Sequence, residues 1–148
     1  MADFYIDTAV GVKDGTKIPA DKFDGRKVGT HMRRTIGSKP TGVAWASGDQ
    51  IFLGTVRAGE TLRSVLVNSD TSLGTTTLSV GPKSSTTKYV NAKTMTTTDV
   101  PTQIGVRATA ADDAPLTADE DVWLTLGVGG IAAGVIVTFE LIASGVSS

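Results

Sequence analysis

Short apolar runs, interrupted at nearly regular intervals by Gly, Pro, Asp, Asn or Ser, constrain the fold of this chain more than any other feature. Gly, Thr and Ser make up about a third of its 148 residues, and Thr and Val favour an extended backbone while Gly supplies turns. The pattern predicts strands at 28–36, 43–46, 50–56, 62–68, 75–80, 88–92, 103–107, 121–128 and 135–142. Short strands at this spacing are typical of a sandwich, so we expect an all-β, antiparallel β-sandwich with few helices.

The last two predicted strands show the clearest alternation of apolar and polar residues. One face of the first would carry Val122, Leu124, Leu126 and Val128, and one face of the second would carry Val135, Val137, Phe139 and Leu141. Because only a short glycine-containing segment separates them, they are predicted to form a hairpin. The run at 62–67 is apolar on both faces toward its end, which predicts an interior strand.

The beginning of the chain has a different character. Residues 1–27 contain two turn signals and little periodicity, which predicts an extended N-terminal arm before a single β-sandwich domain at 28–148. Eight of the 14 Lys and Arg residues lie in the first 39 positions, and we expect the arm to dock on an acidic protein surface. The candidate contact residues are Lys13, Lys17, Lys22, Arg26, Lys27, Arg33 and Arg34.

Composition and spacing give little support for catalysis or a bound cofactor. The chain has no cysteine, and His31 is its single histidine, so we expect no enzyme activity. Residues 127–132 fit the G-x-G-x-x-A dinucleotide pattern, but too few residues follow them to build a βαβ unit. We therefore expect no cofactor.

Other ligand classes are also disfavoured by the sequence. The net charge of -1 and the 5% aromatic content argue against direct nucleic-acid binding. Residues 122–139 carry no charge, but glycines interrupt them, so we expect no membrane span. The acidic stretch at 112–121 lacks the EF-hand spacing, so we expect no metal, although calcium binding in this loop stays an open alternative.

The segment ASGDQIFLGTVRAGETL at 46–62 resembles the "SGD-x-I-x-LG-x-L-x-AG" strand and turn of small virion proteins of tailed bacteriophages. Residues 14–26, 72–81 and the acidic turn leading into 122–127 extend this resemblance over most of the chain. The resemblance implies a jelly roll or related β-sandwich. It also implies a decoration, or cement, protein on the outer surface of the phage head, usually a homotrimer beside the major capsid protein. It brings no catalytic residues, and contact through the basic arm is our own hypothesis.

Two alternatives stay open, and an enzyme is a third that the sequence favours least. One is a structural protein of the neck or tail of the virion, and the other is a carbohydrate-binding β-sandwich module. Sugar sites commonly stack on exposed aromatic rings, but Trp45, Trp123, Tyr5 and Tyr89 are scattered along the chain.

Overall fold

A computed structural model describes residues 31–111 and 114–145, which form eight strands and one helical turn. In chain order the elements are β1 (His31–Ser38), β2 (Gln50–Val56), β3 (Glu60–Ser69), β4 (Thr77–Gly81), β5 (Val90–Thr94), β6 (Thr102–Gly105), α1 (Ala108–Ala111), β7 (Glu120–Gly127) and β8 (Val137–Gly145). The predicted all-β fold with few helices is confirmed. No helix among these residues is long and apolar enough to span a membrane. The predicted arm at 1–27 lies outside the described residues.

The strands form two antiparallel sheets. Sheet 1 has the order β1-β8-β3-β6, and sheet 2 has the order β2-β7-β4-β5. Burial alternates along β7 and β8, as expected when one face of each sheet packs against the other sheet. The core therefore lies between the sheets, and its most buried side chains are Val56, Leu62, Val65, Val67, Leu78, Val80, Val90, Val122, Leu124, Leu126 and Val137. The predicted antiparallel β-sandwich is confirmed.

The predicted interior strand at 62–68 is also confirmed. It corresponds to β3, which lies between β8 and β6 in sheet 1. Val65 and Val67 are buried in the core, whereas Leu66 points to the opposite face and is half-buried. Leu66 is therefore an apolar side chain that is only partly covered, on the outer face of sheet 1.

The predicted hairpin of the last two strands is wrong, because β7 belongs to sheet 2 and β8 belongs to sheet 1. β7 pairs with β2 and β4, and β8 pairs with β1 and β3. The apolar faces of β7 and β8 both point into the core, so the chain crosses between the sheets after β7. Alternation shows only that one face is buried, and it cannot distinguish strands that pair from strands in opposing sheets.

Two other predicted strands differ from the structure, one because it does not form and one because it ends earlier. The segment at 43–46 is not a strand, since Trp45 forms only an isolated bridge with Ile131, with N to O distances of 2.9 and 2.8 Å. Gly130 permits this close approach, because a Cβ at this position would lie 2.1 Å from the Trp45 carbonyl oxygen. Val128 has a φ of 67° and is 75% exposed, so β7 ends one residue before the predicted end.

Candidate functional site

Two of the predicted contact residues, Arg33 and Arg34, lie on β1 at the edge of sheet 1. Consecutive residues of a strand point to opposite faces, so Arg33 points toward sheet 2 and Arg34 points outward. The other predicted contact residues lie outside the described residues, and their role stays a prediction. They are Lys13, Lys17, Lys22, Arg26 and Lys27.

Arg33 connects the two sheets at this edge. Its Nε lies 3.2 and 3.1 Å from the two carboxylate oxygens of Glu60, at the start of β3, and its NH2 donates to the Thr55 carbonyl oxygen of β2 at 2.6 Å. The Glu60 side chain is only 14% exposed. The charge of Arg33 is therefore satisfied within the sandwich. This ion pair was not predictable from the sequence near Arg33, because its partner Glu60 is distant along the chain.

Arg34 has a different environment. Its Nε donates to Glu140 Oε1 at 2.5 Å, and 61% of its side chain is exposed. The hydrogen bond and the charge of Glu140 raise the pKa of Arg34 above its usual value. Its NH1 and NH2 groups have no hydrogen-bond partner among the described residues. Within the described residues, Arg34 thus exposes two donor groups, whereas Arg33 is bonded to Glu60 and the Thr55 carbonyl.

Apolar side chains surround the Arg34–Glu140 pair on the outer face of sheet 1. In the strand register, Glu140 lies between Ile36 of β1 and Leu66 of β3, and Ile142 lies opposite Arg34. Met32 and Ile36 are 65% and 61% exposed, while Leu66 and Ile142 are half-buried. We call this surface the apolar face, defined by Met32, Ile36, Leu66, Ile142 and the Arg34–Glu140 pair.

A shallow depression adds shape to the apolar face. It has a volume of about 210 Å³ and lies between Ile36 on one side and Pro101 on the other. Leu66, Asn68 and Thr138 also line it. The surface is thus mainly apolar, with a recess beside the Arg34–Glu140 ion pair, in which the two charges offset each other.

The outer face of sheet 2 carries mainly hydroxyl and amide groups. Thr125 of β7 lies between Gln50 of β2 and Ser79 of β4, and Thr77 and Thr55 continue the same face. We call these residues the hydroxyl face. The Thr55 hydroxyl donates to Asp121 at 2.9 Å. Ser79 also forms a local contact, since its hydroxyl accepts a hydrogen bond from the Ala92 amide at 3.0 Å, whereas the Thr125 hydroxyl has no hydrogen-bond partner among the described residues.

Two aromatic rings lie within the outer face of sheet 2, because the Phe52–Trp123 pair falls between the Gln50–Thr125 and Thr55–Asp121 pairs in the strand register. Phe52 and Trp123 pack edge to face with their centroids 5.4 Å apart, and Lys83 Nζ lies 4.1 Å from the Trp123 centroid. The Lys83 ammonium thus lies over one face of the Trp123 ring. Trp45 packs instead against Phe139, and Tyr89 is buried. The aromatic residues that the structure describes do not share one platform.

The described acids of the 112–121 loop bind separate groups of the protein. Asp119 accepts a hydrogen bond from the Ala58 amide at 2.9 Å, and Asp121 accepts the one from Thr55. Glu120 accepts hydrogen bonds from Lys88 Nζ at 3.0 Å and from the Tyr89 hydroxyl. Across residues 31–111 and 114–145, no three acidic or histidine side chains group to hold a metal ion. These acids fix the loop to the sandwich. Asp112 and Asp113 lie outside the described residues.

Comparison with known proteins identifies the fold. No family model and no curated protein matches the chain. Among solved structures, a chain from the capsid of Ralstonia phage GP4 has a TM-score of 0.58 and 18% identity, covering 80% of this chain and 86% of that chain. A chain of the cyanophage Pam1 capsid asymmetric unit has a TM-score of 0.53 and 15% identity, covering 92% of this chain and 100% of that chain. This chain thus shares its fold with chains found in two phage capsids.

The apolar face was not predicted from the sequence. The charge pattern identifies Arg33 and Arg34 but does not identify the apolar residues next to them. Met32, Arg34 and Ile36 are spaced by two, so a strand places them on one face. That alternation was available in the sequence. The positions of Leu66, Glu140 and Ile142 beside them follow from strand pairing, which the sequence did not reveal.

Proposed function

We propose that this chain is a structural protein of a phage virion. In this proposal it is a decoration, or cement, protein that binds the major capsid protein on the outer surface of the head and stabilises the shell as a homotrimer. The observation that supports a virion role most strongly is the likeness of its sandwich to chains from two phage capsids. The decoration role, the partner and the trimer come from the sequence resemblance.

We also propose that the sandwich is a jelly roll, an eight-stranded fold of two sheets. The strand orders β1-β8-β3-β6 and β2-β7-β4-β5 support this assignment. Every connection between consecutive strands crosses from one sheet to the other, except the one between β4 and β5. This connectivity gives a rigid unit whose two outer faces are available for different contacts.

The proposal assigns the chain no catalytic role. His31 is exposed at the first residue of β1, opposite Gly145. We expect the variant His31→Ala to fold and to attach to phage heads as the wild type does. Loss of attachment in a folded His31→Ala protein would contradict this expectation.

Reconstitution tests the proposed function. Purified protein is mixed with phage heads that lack it, the heads are sedimented, and the bound protein is quantified. We expect saturable binding at about one copy per major capsid subunit, together with a higher temperature of head disruption. Saturation at a few copies would instead indicate the neck or tail, and no binding to heads would contradict the proposal.

The basic arm is tested separately in the same assay. Replacing Lys13, Lys17, Lys22, Arg26 and Lys27 with Ser should weaken attachment and reduce its dependence on salt, because screening acts on exposed charge pairs. Arg33 is retained because it supports the sandwich. Identical binding by this variant and the wild type across the salt range would reject a role for the arm charges.

A further inference from the structure

We propose that the apolar face of sheet 1 is the surface that contacts the shell protein, and that Arg34 binds a carboxylate of that partner. This inference rests on the proposed function and adds the surface and the chemistry of recognition. It also gives Arg34 and Arg33 different roles, although the sequence analysis predicted both as contact residues.

The first argument is the exposure of apolar side chains on an edge strand. Among the described residues β1 pairs only with β8, and no described strand lies against its other edge. Met32 and Ile36 project from this strand, and Leu66 and Ile142 continue the apolar area across the sheet. Natural proteins usually protect edge strands, and contiguous exposed apolar patches commonly mark interaction sites.

The second argument is the position of Arg34 within this area. Arginine surrounded by apolar side chains is typical of the residues that dominate binding energy at interfaces. Glu140 holds the Nε of Arg34 and thereby orients its guanidinium, which lowers the conformational cost of binding. The remaining NH1 and NH2 groups are suited to a partner carboxylate flanked by apolar groups.

The third argument favours the shell protein over a second copy of this chain. The apolar face lies on β1, β8 and β3. Three strands spaced about 4.8 Å apart and about seven residues long cover roughly 330 Å², whereas a stable pair needs about 800 Å² per partner. Glu140, the acid of the apolar face, already binds Arg34, so a facing copy would offer no free carboxylate there. A repeating shell can hold such limited contacts because several copies bind together.

The test compares matched surface variants in the head-sedimentation assay. The double variant Met32→Ser, Ile36→Ser should bind at least about tenfold more weakly than the wild type, and Arg34→Gln should bind several-fold more weakly. Phe52→Ser is the control, because Phe52 is 50% exposed on the outer face of sheet 2, and it should bind within about twofold of wild type. Thermal unfolding confirms that each variant is folded.

The outcomes separate this inference from the proposed function. Failure of the wild type to bind heads would remove the proposed function. Wild-type binding that is unchanged in the double variant would overturn the apolar face alone. A double variant that changes from oligomer to monomer in light scattering, yet binds heads normally, would assign the face to contacts between copies and overturn the inference. Selective loss in the double variant and in Arg34→Gln would support it.

Discussion

Sheet 1 and sheet 2 contribute similar inner faces to one core, but their outer faces differ in chemistry. Buried Val, Leu and Phe residues alternate along the central strands of both sheets. On the outside, sheet 1 presents the apolar face around Arg34, whereas sheet 2 presents the hydroxyl face with Phe52 and Trp123. The inner residues therefore form one shared core, and the outer residues give the two sides of the sandwich different surface chemistry.

The same contrast exists between two adjacent residues of β1. Arg33 points inward and bonds to both sheets through Glu60 and the Thr55 carbonyl. Arg34 points outward, and its NH1 and NH2 groups have no partner within the part of the chain that the structure describes. Equal charge in the sequence thus corresponds to a structural role in one case and a proposed binding role in the other.

The largest expected effect tests whether the two inner faces form a single core. Leu124 of sheet 2 and Leu141 of sheet 1 are 0% and 4% exposed. Replacing either with Ala should lower the free energy of unfolding by about 2–5 kcal/mol, because burial is lost and a cavity remains. Chemical denaturation measures both variants. A loss below about 1 kcal/mol in only one of them would contradict a shared, closely packed core.

A smaller effect should separate the two arginines. Arg33→Gln should lower the free energy of unfolding by about 1–2 kcal/mol, since it leaves the half-buried Glu60 without its cation, with the partial exposure of the pair reducing the loss. Arg34→Gln is the matched control and should leave the denaturation midpoint almost unchanged, because an exposed ion pair contributes little to folding. Equal losses in chemical denaturation would contradict the assignment of one inward and one outward role.

The apolar face itself should contribute little to folding. Met32 and Ile36 are largely exposed, so the double Ser variant should change the free energy of unfolding by less than about 0.5 kcal/mol. Thermal and chemical unfolding of the free protein provide the measurement. A loss above about 1 kcal/mol would mean that these side chains are buried in the free protein, which would count against a surface reserved for a partner.

An effect of opposite sign, a gain in stability or no change, is expected on the hydroxyl face. Thr125 Oγ1 is shielded from solvent and has no hydrogen-bond partner among the described residues. Thr125→Val removes this unsatisfied oxygen and keeps the side-chain shape, so stability should stay equal or rise by up to about 1 kcal/mol. Thr125→Ser keeps the hydroxyl and serves as the comparison. A clear loss of stability specific to Val would show that the hydroxyl has a favourable contact.

The fold class was predictable because strands and their buried faces can be recognised from short runs of neighbouring residues. Alternation at 122–126 and 137–141 correctly indicated which side chains are buried. It could not assign β7 and β8 to different sheets, because the same alternation suits both arrangements. Trp45 and Ile131 similarly form one bridge, which no local run of residues could distinguish from a short strand.

The candidate site was less predictable because it depends on contacts between distant parts of the chain. The basic pattern drew attention to Arg33 and Arg34 but not to Glu60 and Glu140, which bind them. Met32 and Ile36 each lie two residues from Arg34. This spacing indicates that the three side chains share one face of a strand. The full apolar face required the pairing of β1, β8 and β3.

The most direct test of the proposed role is the number of copies of this chain per major capsid protein in purified virus particles, determined by quantitative mass spectrometry. A decoration protein that covers the shell should occur at a ratio near one. A handful of copies per particle would contradict shell decoration and indicate a neck or tail position. Complete absence from the particle would contradict a virion role and favour the carbohydrate-binding or enzymatic alternatives.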